Sequence, residues 1–514
     1  MEPYLLPWFA DVPSYIAHYA KVFPAREAAV DGEVRLTYEA LSARMNDGGS
    51  ALLAAGLVPG ERVAFFGFPG TAYLQVLLAT LQAGAVYVGL NPKYTASELR
   101  YVVTHAAPRL VFIDPRTSDD ERKALAVAMA DLSGDPPVEV QIDNSVSAAC
   151  APLKLTPTRG DAPYPIVAND AAVIVYTSGT TGKPKGAVIR QRGLAHEGRL
   201  FAQRYVGGDV SRTTRVLNNL PVNHIGCIGD LTCAWLVMAA TIVFMPRFEP
   251  RRIGEVLAQE AITFYFQVPA MFQLALAEGI DLRELPALRS VAWGGAQCPR
   301  PLVEKFAAWG FDLSNTYGLS ECTGTCTATR PTASINELAS SVGVALEANT
   351  VRIAADGEVQ VIGDLVFAGY LKDEASTRQA FTDDGWLRTS DIGEFDRDGN
   401  ILLKGRLSEM FKSGGYNVYP REIEEALERI PGIDLAAVIA VADPLWSEVG
   451  HAFVIAGEGM TMEPIVAALT RELANYKVPK HFTIATDLPR LPIGKIDKQA
   501  LRKMLASTTG DARQ

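Results

Sequence analysis

Apolar and polar positions alternate along this chain in two rhythms, one of period near 3.6 and one of short unbroken runs. Residues 38–55 place Leu41, Met45, Leu52 and Leu53 at near-helical spacing and stop at Gly56, which predicts an amphipathic helix. The apolar stretch 62–68 follows as a strand, then a helical stretch at 72–82 and a second apolar run at 85–90. The same order returns with a helix over 97–105 and a strand over 110–113. Strands separated by helices predict a parallel sheet covered on both faces. The run 171–176, AAVIVY, is apolar and rich in β-branched residues, and predicts another buried strand. Further on, a helix over 189–205, strands over 215–220, 241–245, 262–268 and 290–293, and a helix over 251–259 continue the alternation.

The texture changes after residue 342. Short alternating runs are punctuated by Asp356-Gly357, Asp384-Gly385 and Asp398-Gly399, which predict hairpins and a β-rich subdomain up to about residue 403. Beyond Arg406 come a glycine pair, a charged helix over 420–430, apolar strands over 436–441 and 452–455, and a helix over 464–474. The expectation is α/β overall: a large N-terminal domain over 1–405, of parallel α/β sheets plus a β-rich subdomain, and a small α+β domain over 406–514.

Bulk properties narrow the classes. The chain has 514 residues and a net charge of −10, which argues against a nucleic-acid partner held through phosphates. The start, MEPYLLPWFADVP, is acidic and interrupted by prolines, unlike a secretory signal, and no apolar run reaches the roughly 20 residues of a membrane span. Six cysteines and six histidines are scattered without metal-ligand spacing, so reduced thiols in a cytoplasmic protein are expected.

Chemistry enters where the strand 171–176 ends, at Thr177, Ser178, Gly179, Thr180, Thr181, Gly182, Lys183, Pro184, Lys185 and Gly186. Glycines let backbone N–H groups approach an anion, hydroxyls add donors, and lysines add point charges. The stretch is built to hold a polyphosphate. It is not the common phosphate loop, because Pro184 stands where a magnesium-holding Ser or Thr would follow Gly-Lys. A second dense stretch is NTYGLSECTG, residues 315–324, with a flat ring at Tyr317, a hydroxyl at Ser320 and a hard oxygen at Glu321. A third is GWLRTSDIG, residues 385–393, where Asp391 offers a carboxylate for ribose hydroxyls; a fourth, PIGKIDKQAL, carries Lys495.

Together these strings resemble the adenylate-forming superfamily of acyl- and aryl-CoA synthetases, adenylation domains and luciferases, and most of all its fatty-acyl and aryl-acid CoA ligases. The resemblance extends from Leu36-Thr37-Tyr38 to Lys495. It implies that Thr177, Ser178, Gly179, Thr180, Thr181 and Lys185 hold the phosphates of ATP, with Gly294, Gly295, Ala296, Tyr317, Gly318, Asp391 and Arg406 around the nucleoside. Glu321 would hold Mg2+, and Lys495, Glu321 and Ser320 would be catalytic. His224, Ile225 and Trp293 would line the acyl pocket. Ile225 stands where amino-acid-activating members carry Asp, which points away from an amino-acid substrate. Lys412, Gly414, Gly415 and Tyr416 would line a coenzyme A tunnel, and the hinge position falls on Ser408, where the family has Asp or Lys. Ser390 replaces the usual glycine before the aspartate.

The implied activity joins a small-molecule carboxylic acid (fatty, alicyclic or aryl) to ATP, releasing pyrophosphate. The acyl group then passes from acyl-AMP to coenzyme A, with the small domain rotating between steps. The alternative acceptor is the phosphopantetheine arm of a carrier protein, and the alternative of another class is a non-catalytic nucleotide or acyl sensor. A homodimer is left open.

Overall fold

In the computed structural model, residues 4–130, 132, 136–142, 145–150, 167–177, 183–457, 459–491 and 494–510 are described. The strand Ala171–Thr177 runs parallel to Val86–Leu90 and antiparallel to Lys185–Arg190, in a six-stranded sheet with Arg62–Phe66, Leu110–Ile113 and Val138–Gln141. Period-two alternation divides each strand between two cores. Val63 and Phe65 face a large apolar cluster that also takes residues from the helices Tyr38–Ala54 and Thr71–Gln82. Ala64 and Phe66 face another, closed by the helices Ala96–Ala106 and Asp119–Ala130. Thr95 and Glu98 form a reciprocal capping box at the start of Ala96–Ala106, as the sequence T-x-x-E dictates.

A nine-stranded sheet repeats the plan. Its central strands Glu27–Asp31, Thr241–Phe244, Arg215–Asn218, Phe264–Gln267, Ser290–Gly294 and Asp312–Leu319 are parallel, and antiparallel strands close both edges. Phe264 and Ala292 point into the large shared cluster, whereas Tyr265 and Trp293 point into a separate one with Phe272 and Phe306. Ahead of the expected strand at 241–245, observed as Thr241–Phe244, the chain forms a π-helix, Gly226–Cys233, and the short α-helix Ala234–Val237.

The β-rich region forms as expected. Val351–Ile353, Glu358–Val361, Leu387–Phe395 and Ile401–Arg406 make a four-stranded antiparallel sheet. Past it, the hairpin Phe411–Ser413/Tyr416–Val418 joins the long antiparallel pair Ile433–Asp443/Ser447–Ala456 and the strand His481–Ile484. The helix Pro420–Glu428 packs on this last sheet around Phe411, Val418, Ile423, Leu427 and Val438, a core composed only of residues beyond 410. Ser408 lies exposed in the turn between the four-stranded antiparallel sheet and this last, mixed sheet. Among the described residues no helix is long and apolar enough to cross a membrane.

Candidate active site

The base of the phosphate-type loop is set by sheet pairing. Thr177 ends its strand opposite Lys185, the first residue of the returning strand. Ser178, Gly179, Thr180 and Thr181 lie outside the described residues. Tyr101 Oη donates to the Pro184 carbonyl at 2.8 Å and so anchors the returning side to the neighbouring helix. The Lys185 ammonium stands 5.0 Å above the Tyr370 ring, and Tyr370 Oη donates to Glu321 Oε1 at 2.8 Å. One tyrosine thus ties the loop lysine to the carboxylate of the second motif. Glu321 sits in the short 3-10 turn Ser320–Cys322, and its own carbonyl accepts from the Phe367 N–H.

Asp391 is nearly fully buried, and both its oxygens are engaged. Tyr317 Oη donates to Oδ2 at 2.6 Å and Arg406 Nε to Oδ1 at 2.8 Å. Asp391 and Arg406 are cross-strand partners, so a fifteen-residue separation in sequence becomes an ion pair through register. The charge of Asp391 holds the Arg406 guanidinium above its ordinary range; burial, and secondarily Asp391, pushes the Tyr317 phenol up. Ser390, immediately before Asp391, has φ +61°, the left-handed conformation that favours glycine. The serine at the usual glycine position keeps that backbone and carries its strain.

Lys495 reaches the same place from the far end of the chain. A Cβ on Gly295, whose own φ is +77°, would lie 3.1 Å from Lys495 Cε. Gly295 is favoured by its left-handed backbone, and a side chain there would press on the lysine. Burial and then the Arg406 guanidinium push the Lys495 ammonium down to about 8, against the attraction of Asp391 and Glu409. His224 lies beside it; burial first and the Lys495 charge second push the imidazole down to about 4, so it is neutral near pH 7. Its Nδ1 accepts from the Gly226 N–H at 3.1 Å.

The other predicted residues divide. Gly294 ends the strand Ser290–Gly294, where a Cβ would strike Thr316 Oγ1 at 2.5 Å, and Gly318 crosses the Gly324 carbonyl so closely that a Cβ would lie 1.7 Å from it. Ala296 follows in the same bend, and Ser320 is buried. Ile225 is a core residue of the large cluster. Trp293 corrects the expectation that it lines an acyl pocket: it is fully buried on the opposite face of its strand, in the cluster with Phe272 and Phe306. Strand alternation sends its neighbour Ala292 into the large shared cluster and the indole to the other face.

Lys412, Gly414, Gly415 and Tyr416 form a different locality. Gly414 and Gly415 turn the hairpin with φ of +57° and +86°. Trp446 packs on Gly414, where a Cβ would lie 2.6 Å from the indole, and Tyr416 stacks on Tyr476 with centroids 4.5 Å apart. The Lys412 N–H donates to Glu448 Oε2. A Cβ on Gly415 would meet nothing within 4 Å.

Sequence reasoning missed Tyr370 and Glu409. Tyr370 bears no motif, and its role depends on the bridge that pairs it with Ala187. Glu409 accepts from Lys498 Nζ at 2.5 Å, and Lys498 also meets Glu424 at 2.9 Å. That network fixes the segment preceding Phe411 to the helix that follows Lys495. Among the described residues no group of three or more His, Cys, Asp or Glu side chains could hold a metal by itself.

This arrangement has close counterparts. The AMP-binding enzyme family matches residues 16–371, and the AMP-binding enzyme C-terminal domain matches residues 422–495. A feruloyl-CoA synthase of Amycolatopsis sp is 32% identical over 505 residues, covering 95% of this chain and 98% of that protein. The long-chain-fatty-acid–CoA ligase FadD13 of Mycobacterium tuberculosis is 30% identical over 503 residues, covering 95% and 97%. The ATP-bound crystal structure of MatB from Rhodopseudomonas palustris superposes with a TM-score of 0.83 at 27% identity, covering 96% and 99% of the two chains. With both family regions matched and full-length relatives at this identity, the chain belongs to the AMP-binding enzyme family.

Proposed function

We propose that this protein is an AMP-forming acid–CoA ligase that activates a fatty, alicyclic or aryl carboxylic acid. One observation carries the reading: Lys495 packs at Gly295 within the electrostatic reach of Arg406 and Asp391, and Asp391 in turn binds Tyr317 and Arg406, although these five residues come from five separate stretches of sequence. In the first step the acid's carboxylate attacks the α-phosphate of ATP, the α–β bridging P–O bond breaks, and acyl-AMP and pyrophosphate form. Two anions must approach each other, and the Lys495 ammonium offsets that repulsion most as charge builds in the transition state. Asp391 takes the ribose hydroxyls, with Arg406 and Tyr317 holding its orientation, and neutral His224 borders the acid without adding charge. Residues 177–185 hold the β- and γ-phosphates.

Glu321 suits Mg2+ when the ion also uses phosphate oxygens. A single carboxylate plus substrate oxygens is how Mg2+ commonly binds, and Tyr370 occupies Oε1 while leaving Oε2 available. The ion supplies charge neutralisation at the phosphates. In the second step the thiol of coenzyme A attacks the acyl carbon and AMP leaves. Rotation about Ser408 replaces Lys495 with the face around Gly414 and Gly415. The division at residue 405 is the boundary of that movement. Six buried, unbridged cysteines suit a reducing cytoplasm.

Acid-dependent exchange of pyrophosphate into ATP, followed by thioester formation on adding coenzyme A, tests the reading. Exchange that needs no acid, or acyl-AMP that no thiol consumes, overturns it.

A further inference from the structure

Lys495 is held from behind as well as from in front. Its segment folds back on itself: the Leu491 N–H donates to the Lys495 carbonyl at 2.7 Å, the Asp497 N–H donates to the Pro489 carbonyl at 2.8 Å, and Arg490 bridges Ile496. Asp497 then caps the helix Lys498–Gly510, accepting from the N–H groups of Gln499 and Ala500 at 3.0 and 2.9 Å. Lys498 is the first residue of that helix. Its ammonium bridges two carboxylates, Glu409 at 2.5 Å and Glu424 at 2.9 Å. Glu409 comes from the turn that carries Ser408, where its N–H donates to the Arg406 carbonyl at 3.1 Å. Glu424 comes from the helix Pro420–Glu428 and also accepts from the Val438 N–H at 2.8 Å.

The charges around Lys495 do not cancel evenly. On the large body Arg406 and Asp391 form an ion pair, and both oxygens of Asp391 are engaged, by Arg406 and Tyr317. Of the two, the guanidinium acts on Lys495 more strongly, so the pair as a whole disfavours the ammonium. His224, which also faces Lys495, is neutral near pH 7. Among the described residues Glu409 is the remaining charged group acting on Lys495, and it favours the ammonium. Against its burial, Lys498 and then Arg406 keep the Glu409 carboxyl below its ordinary range, so it is ionised at neutral and alkaline pH. Lys498 does not cancel that charge, because one ammonium serves two carboxylates and leaves a negative charge over. Arg502 also acts on Glu409 but lies exposed, where solvent and salt screen it.

We propose that Glu409 is a positioning residue for the first chemical step: bound to Lys498, it fixes the segment of Lys495 and supplies the counter-charge that the ammonium lacks on the large body. This rests on the ligase reading above and adds to it a residue that acts through Lys495. Two cations placed side by side, Lys495 and Arg406, need a nearby anion if both are to stay charged. Glu409, Glu424 and Lys498 all follow Ser408 in the chain, as Lys495 does, so the part of the protein that carries the lysine also carries its counter-charge.

The pH dependence of acid-dependent pyrophosphate exchange in Glu409→Gln tests it. Glutamine keeps an oxygen for Lys498 and loses the charge. The alkaline limb is expected to move to lower pH by about half a unit or more, so that the variant stays within about twofold of the wild type at about pH 6 and loses about threefold or more above about pH 8. Glu409→Asp restores the charge and is expected to return the limb toward its wild-type position. Competitive labelling with acetic anhydride reads the same shift without turnover: the pH at which the Lys495 amine becomes reactive, followed by mass spectrometry of its peptide, falls in Glu409→Gln. A limb and a labelling curve that stay in place, or a loss equal at every pH, overturn the assignment. If Glu409→Gln fails to fold, as thermal unfolding would report, Glu424→Gln removes the surplus charge from the other end of the cluster and must move the labelling curve the same way; no movement overturns the assignment. A wild type that exchanges no pyrophosphate with any acid removes the ligase reading instead, and the labelling curves still decide the place of Glu409.

Discussion

Two surfaces of the last hundred residues differ in almost every physical respect. The loop carrying Lys495 is folded against the large sheets, its ammonium pushed down to about 8 by burial and Arg406. The hairpin carrying Gly414 and Gly415 touches Trp446, Glu448 and Tyr476 and leaves Tyr416 60% exposed. One surface packs at the reacting centre, and the hairpin's contacts lie within its own sheet and with Tyr476. On the proposed ligase reading a single rigid lobe cannot present both, and the two chemical steps divide between two orientations of the lobe.

The sharpest way to break this contrast is to remove the lysine. Lys495→Ala is expected to lower acid-dependent pyrophosphate exchange by about 10²–10³-fold while sparing thioester formation from supplied acyl-AMP, because the ammonium acts on the first transition state alone. Equal loss in both assays would merge the two surfaces into one function. The reciprocal change, Gly415→Leu, is expected to cut thiol transfer about tenfold or more and leave exchange intact, since the added side chain meets open space in the present orientation. The same change costs about 1–2 kcal/mol of stability through the left-handed backbone.

A gentler test uses pH. The Lys495 ammonium is present below about 8 and is lost above it, so kcat/KM for adenylation should fall about tenfold per pH unit beyond that point. Lys495→Arg keeps its charge and should flatten the alkaline limb at a lower rate overall. An unchanged profile in that variant assigns the limb to another group. The smallest effect concerns the fixed side of the contrast. Ser390→Gly relieves a left-handed serine and should stabilise the protein by about 1 kcal/mol, measured by denaturant unfolding, with little change in activity.

Much of this was legible before any coordinates. Parallel strands announce themselves as unbroken apolar runs because both their faces are buried, as at 86–90 and 171–176. Tyr317, Asp391, Arg406 and Lys495 were singled out by strings that resemble the family's motifs, and the fold brings them near one another. What was hidden depends on orientation. Nothing local tells which face of its strand Trp293 takes, and the indole went to the core on the face opposite Ala292. The π-turn of Gly226–Cys233 has the composition of an ordinary buried helix. Glu197 and Asp230 belong to different helices and come together in the fold around Thr325, which donates to both, and Gly324, where a Cβ would collide with both.

The most direct measurement holds the lobe still. Gln273 Nε2 reaches the Asp434 carbonyl at 3.4 Å, a contact between the large body and the last sheet. Cysteines at these two positions, joined by a short bismaleimide, fix the orientation in which Lys495 is seated. Single-turnover analysis should then find acyl-AMP forming at close to the unbridged rate and no thioester after coenzyme A is added. Thioester appearing at the unbridged rate would show that one orientation serves both steps, and the swinging lobe would be wrong.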